Sequence, residues 1–490
     1  MGEVELDSIT HDKGKVGVSP WVVFTLLAVT QFIVVLDTSI VYVALPSISV
    51  DLDFSQTGLA WVMDAYMLAF GGFLLLGGRA ADLLGRRRVL VAGMVVFSMA
   101  SLACGLSITA WQLVVSRIAQ GLGAAMVAPA VLALVTDTFE EGRDRYKALG
   151  ILGGIGGVAG ATGTLFGGLL TAIAWQLAFL INVPIILGVL FLGGRMLPVG
   201  RPTATGGVDL LGALVGTAGL CILIYGVSHG GSSGWGSTTT LGSFAVAVIL
   251  LAAFGIRQLK AAAPMIPRML FRQRNVVLGN VGNAATGALL FGVFFILTLY
   301  LQQVRGYSPL DAALWTIPIS VAVFLGSQIT FRLFGRISPV SALAGGFVVQ
   351  ALALIWWALG FGAHSNVLVS FVLPGMLWGI GVGAAIVAAF VVCTSGLPGA
   401  VQGAGSGLVS MSLQIGGAVG VAVLSTIAAR RTNSLMLNHS AGVADAMASG
   451  QEYALWGAVV VAIIGVPIMA WLRASWRPSA HHGEQPTKAA

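Results

Sequence analysis

Apolar residues along this chain do not alternate with polar ones. They gather in blocks of about 20, the length at which an α-helix rising 1.5 Å per residue crosses a bilayer. Fourteen such blocks begin near Trp21, Gln56, Val89, Trp111, Ala148, Gln176, Val208, Leu241, Val276, Leu310, Val340, Val367, Ala404 and Tyr453. The pattern predicts an all-α integral membrane protein with fourteen transmembrane helices. The longer polar stretches, near 198–207, 228–240, 257–275 and 430–451, read as loops, and 1–18 and 478–490 read as disordered tails.

Charge adds a direction. With the N-terminus placed in the cytoplasm, all but four of the 25 Lys and Arg residues fall in inward loops or tails. Arg305, Arg430 and Arg431 face outward, and Arg117 lies inside a span. This one-sided excess is the signature of cytoplasmic loops, and an even number of spans returns the C-terminus to the cytoplasm. The net charge of +7 is therefore loop bias and not a nucleic-acid surface.

Composition closes off other classes. Of the 490 residues, 57% are hydrophobic and 9% charged, where a soluble protein carries roughly a quarter charged. That excludes a soluble enzyme, a secreted disulfide scaffold and a disordered chain. Cys104, Cys221 and Cys393 sit in apolar runs without metal-ligand spacing, and the six histidines fall in tails and loops. No metal site or cofactor is expected. Neither is an enzyme, which needs a nucleophile with a base, or a metal set.

An internal echo suggests two halves. Asp82-Leu83-Leu84-Gly85-Arg86 follows the second span and Arg332-Leu333-Phe334-Gly335-Arg336 follows the tenth. Both read x-Leu-x-Gly-Arg and occupy the same place if spans 1–6 and 9–14 are repeated halves, a common transporter plan. The expected organisation is a tail (1–20), a six-helix bundle (21–200), an inserted helix pair (201–260), a second six-helix bundle (261–475) and a tail (476–490).

Ionisable residues at membrane depth are functional candidates by default. Asp37, Asp64 and Arg117 lie about eight, eight and six residues from the outer ends of their spans, so their depths agree to about one helical turn. A carboxylate in low dielectric holds a proton more readily, and a nearby guanidinium opposes this. A cavity that opens to alternate sides changes both effects, so the acid can load a proton on one side and release it on the other. A cationic substrate can compete for the same charge. The other reading is a structural ion pair that fixes helix packing. Asp209 and Asp311 stand at helix starts, where the macrodipole favours acids. Asp137 is placed either to pair with the Arg86–Arg88 cluster or to be solvated.

These residues resemble the major facilitator superfamily over roughly 20–475, and more narrowly its fourteen-helix drug:proton antiporters of the EmrB/QacA type. The loop GRAADLLGRRRVL (78–90) is similar to the superfamily's first cytoplasmic loop motif through Gly78, Asp82, Gly85, Arg86 and Arg87, with Ala80 and Leu83 departing. The resemblance implies a latch between the halves in the outward-open state. LVVSRIAQGLGAA (113–125) resembles the fourth-helix motif, with Arg117, Gln120, Gly121 and Gly123 in register, and implies a proton-transfer role for Arg117. LDTSIVYVALP (36–46) resembles the first-helix motif centred on Asp37, with Tyr42 where Asn is usual. GGIGGVAGATGTLFGGLL (153–170) resembles the antiporter helix through Gly163, Gly167 and Gly168, and Thr164 replaces its proline. WQLAFLINVPI (175–185) is similar to a further motif of that branch.

The resemblance implies a proton-driven exporter of amphipathic small molecules, cationic or neutral, in a bacterial plasma membrane. It would work as a monomer, drawing on the proton gradient without a cofactor. Asp37, Arg117 and Asp64 would carry the coupling, and Asp37, Asp64, Gln31 and Tyr42 would line the substrate cavity. Proton-coupled uptake on the same fold, export of a single antibiotic or lipid, and a non-transporting receptor or membrane enzyme are the alternatives.

Overall fold

The computed structural model describes residues 19–139, 142–197, 209–261, 264–334, 336–360, 366–438 and 442–475. The expected disordered tails, 1–18 and 478–490, and the whole 198–207 stretch lie outside these residues. Gly335 of the internal echo does too.

Among the described residues the structure is helical without strands, a lone bridge between Phe334 and Ile337 apart. Within hydrocarbon a helix satisfies its own backbone groups, so long apolar blocks have this one local solution. The helices are α1 (Pro20–Asp51), α2 (Gln56–Leu84), α3 (Arg86–Gly105), α4 (Ala110–Thr138), α5 (Arg143–Ile173), α6 (Leu177–Leu180), α7 (Asn182–Met196) and α8 (Leu210–Ser233). After them come α9 (Thr238–Lys260), α10 (Arg268–Arg272), α11 (Arg274–Leu299), α12 (Pro309–Leu333), α13 (Pro339–Gly360), α14 (Leu373–Thr394), α15 (Gly399–Leu437) and α16 (Val443–Ser475). A π-helical turn extends α11 over Tyr300–Val304, and another precedes α14 over Leu368–Val372.

Twelve of these helical stretches are long and apolar enough to cross a membrane, and Val158–Ile173 and Leu177–Gly193 are shorter apolar helices. The chain is a multi-pass membrane protein. Side-chain caps fix several starts: Ser55 accepts from the amide of Gly58 at 3.0 Å, Asp209 from Gly212 at 2.9 Å and Ser308 from Asp311 at 3.2 Å. Asp209 also pairs with Arg257 at 2.6 Å, tying α8 to α9. The 430–451 stretch corrects the sequence reading. It is mostly helix, because α15 runs on to Leu437 and α16 starts at Val443, ten residues before its apolar run. Arg431 lies 4.5 Å from the Tyr453 ring and bonds Ser449, a contact that holds the polar ends of these two helices together.

Helix packing repeats. α1 packs on α5, α2 and α3 on α4, and α3 on α7. In the same order α11 packs on α15, α12 and α13 on α14, and α13 on α16. The cross-contacts are reciprocal, α2 with α15 and α12 with α5. Between these sets α8 packs on α9, α2 and α15, while α9 exposes Leu241, Val246, Val248, Ile249, Ile256 and Leu259 to the surroundings. An apolar face of that size has lipid as its natural solvent.

Candidate functional site

The site begins with a charge problem. Asp37 of α1 and Arg117 of α4 are both fully buried, and an isolated ion at such depth is too costly to keep. The fold answers by pairing them: Arg117 Nη1 donates to Asp37 Oδ2 at 2.7 Å. Gln120, one turn along α4, donates to Asp37 Oδ1 at 2.7 Å, and Asn182 at the start of α7 donates to the same oxygen at 2.7 Å. Asp37 thus accepts three donors from two other helices. Gln120 accepts from Arg117 at 2.6 Å and donates to Ser101 of α3 at 2.8 Å. Arg117 Nε donates to the Val62 carbonyl of α2 at 2.9 Å, and the guanidinium carbon sits 4.3 Å from the Tyr66 ring centroid.

Two polar atoms in this cluster lack partners, Arg117 Nη2 and Asn182 Oδ1. Both belong to side chains that bond the carboxylate, so the cluster is close to complete but keeps a spare donor and a spare acceptor.

Asp64, the third charge expected at this depth, does not join the pair. α2 turns Val62 and Tyr66 toward Arg117, and a residue midway between them falls on the opposite side of the helix. Asp64 is that residue. It is fully buried, neither carboxylate oxygen has a hydrogen-bond partner, and it lies within electrostatic range of Tyr42 on α1 and Cys221 on α8. Seven residues along the same face, Gly71 packs against Met411, Gln414 and Ile415 of α15. The next residue, Gly72, packs against Thr217 of α8. Asp64 therefore shares the face of α2 that, two turns further on, meets α15 of the second set beside α8.

The residues expected to line the substrate cavity are shielded from solvent, wholly or in part. Asp37, Asp64 and Tyr42 are buried, because each points into a helix contact. Tyr42 donates to the Phe291 carbonyl of α11 at 3.2 Å and faces Phe294, which stands edge-on to Trp378 of α14. Gln31 is half-buried, with its Oε1 buried and unpartnered.

The helix-five glycines divide between two neighbours. A Cβ on Gly163 or Gly167 would meet the α1 backbone near Leu36 and Ile40 at 2.9–3.1 Å. One on Gly168 would meet Pro309, Leu310 and Ala313 of α12 at 2.7–3.1 Å. These positions need glycine for close approach. Thr164 is buried and bonds back to the Gly160 carbonyl at 2.9 Å, keeping the helix continuous where a proline would interrupt it.

In the 78–90 segment Gly78 and Asp82 lie within α2. Gly85 joins α2 to α3 at φ +99°, a conformation that favours glycine. Asp82 pairs with Arg86 at 3.6 Å, and Arg86 also pairs with Asp137 and bonds the Ala133 carbonyl of α4. The sequence-read choice for Asp137 resolves toward the ion pair. Among the described residues no group of three or more His, Cys, Asp or Glu is placed to hold a metal.

Sequence reading brought out Asp37, Arg117 and, through the fourth-helix motif, Gln120, but gave no role to Asn182 or Ser101. Asn182 was visible as a lone amide among apolar neighbours. Ser101 was not, since a serine in a span reads equally as a small packing residue.

A family model described as Major Facilitator Superfamily matches residues 27–421. The cephamycin export protein CmcT of Amycolatopsis lactamdurans is 37% identical over 462 residues, covering 93% of this chain and 94% of that protein. The puromycin resistance protein pur8 of Streptomyces alboniger is 34% identical over 469 residues, covering 94% and 92%. Among solved structures, a bacterial homologue of the human lysosomal transporter Spinster, inward-facing and unoccupied, superposes with a TM-score of 0.68 at 18% identity, covering 94% of this chain and 99% of that one.

Proposed function

The chain belongs to the major facilitator superfamily, a family of transporters and not enzymes, and from that premise we propose that it expels amphipathic small molecules in exchange for protons. Export is favoured by relatives whose names record antibiotic export or resistance. The full reading has fourteen crossings, counting α5, a helix of 31 residues, and α6 with α7 as two of them. It places the basic end in the cytoplasm of a bacterial cell. The two repeated sets rock about the α2–α15 and α5–α12 contacts, and a monomer suffices.

The observation that carries the coupling is the fully buried pair of Asp37 and Arg117 at 2.7 Å, closed by Gln120 and Asn182. Protonating Asp37 turns an acceptor into a donor and strips Arg117 of its counter-charge. The cluster must then rearrange, so proton loading and helix movement are one event. Asn182 fits this role: turning its amide offers the spare Oδ1 to the new O–H. Asp64 is kept for the substrate. It stands on the face of α2 that further along meets α15, a contact that rocking must open, beside Tyr42 and the Phe294–Trp378 wall, where a cationic or hydrogen-bonding group can reach it.

Cells lacking their own drug pumps test this. With the wild type they hold less of a fluorescent amphiphile, and with Asp37→Asn they hold as much as empty cells. Equal retention in wild-type and empty cells over a broad panel contradicts export. Uptake above the empty-cell level points to the symport alternative.

A further inference from the structure

The segment joining α9 to α11 lies within a basic stretch that includes the ends of both helices. Between positions 257 and 274 it carries Arg257, Lys260, Arg268, Arg272 and Arg274, and no acid. It folds into the short helix α10, whose two sides differ. Leu270 is fully buried, and with Ile266 and Val276 it packs on Leu75 of α2 and on Leu397, Val401, Ala404 and Leu408 at and before the start of α15. The opposite side presents Arg268 and Arg272, with Met269 and Phe271 beside them, 38% and 52% exposed. Leu270 stands between these residues in sequence but half a helical turn away from the arginines.

Three contacts anchor the segment and its junction with α11, two to α9 and one to α16. The Ile266 amide donates to Gln258 of α9 at 3.3 Å, Arg268 donates to the Leu259 carbonyl, and Arg274 lies 3.8 Å from the Trp471 ring of α16. An exposed phenylalanine and methionine flanked by arginines, at the end of a membrane-crossing helix, match neither water nor hydrocarbon. They match the headgroup layer, where apolar side chains enter the acyl boundary and guanidinium groups meet phosphate.

We propose that α10 is a membrane-surface strap whose outer side binds the headgroups of anionic phospholipids. Its inner side spans the α2–α15 seam, so lipid held outside is tied to the contact between the two repeated sets. The inference rests on the membrane placement proposed above, but its test needs no transport.

The full chain is placed in nanodiscs of phosphatidylcholine alone, or of phosphatidylcholine with phosphatidylglycerol. Amide hydrogen exchange is then followed in peptides covering 264–274. Each arginine near an anionic surface contributes about a fivefold preference for it. Exchange in the wild type should therefore slow several-fold with phosphatidylglycerol. Arg268→Gln/Arg272→Gln should lose that response while exchanging like the wild type in α2 and α15. Arg272→Gln alone guards against disturbing the Arg268 bond to Leu259, and should lose part of the response. Inorganic phosphate in place of the anionic lipid should have no effect. The proposal is overturned if the wild type exchanges equally in both lipids, if the double variant keeps the full response, or if free phosphate reproduces it.

Discussion

A buried charge is stable only as part of a set, and each member then matters for what it leaves behind. Removing Arg117 strands the Asp37 carboxylate among Gln120 and Asn182 without its cation. Arg117→Ala should cost about 3–5 kcal/mol and lower the thermal midpoint in detergent. Asp37→Asn/Arg117→Gln removes both charges, so it should recover much of that stability yet remain unable to transport. Asp64 differs, because its oxygens have no partner to lose. Asp64→Asn should leave the midpoint unchanged or raise it. Efflux of a cationic amphiphile should fall while that of a neutral analogue persists, which paired efflux assays would show. At this scale the sequence disclosed the charges, since acids and arginines are rare in apolar runs. It did not disclose their grouping. Depth along a helix can be counted from loop ends, but azimuth depends on which neighbour each face meets, so Asp64 counted as level with Arg117 while facing the other way.

Helices meet through small residues, and α5 uses one such stripe for two contacts. Gly163 and Gly167 seat it on α1, and Gly168 seats it on α12 of the other set. The first contact lies within one set, and the rocking proposed above would have to break the second. Gly168→Leu inserts a side chain where a Cβ already meets backbone within 3 Å. The overpacking should cost about 1–3 kcal/mol and reduce efflux more than expression, measured side by side. A cysteine pair at Gly168 and Ala313 should arrest transport when oxidised and release it on reduction. Most helix starts were legible, because a block's apolar edge and its capping residue coincide, as at Ser55 and Ser308. The end of α15 and the start of α16 were not, since these helices continue into polar sequence and are held there by contacts with each other.

The whole molecule repeats one set of pairings twice and joins the copies by two reciprocal contacts, α2 with α15 and α5 with α12. Five residues of sequence echo hinted at this repeat; the pairings display it, since helix contacts persist after side chains diverge. The Asp37 cluster lies within the first set, Asp64 lies on the face of α2 that further along meets α15, and the aromatic wall of Phe294 and Trp378 belongs to the second set. Under the proposed function, that division would give each set one task, the first holding the proton and the second presenting an apolar surface to the substrate, with rocking as the link. The most direct test uses the purified protein in liposomes enclosing a pH-sensitive dye, under an imposed proton gradient and with a panel of cationic and neutral amphiphiles. The account predicts substrate-evoked proton movement by the wild type and none by Asp37→Asn. Substrate movement without protons, or proton movement that survives Asp37→Asn, would contradict it.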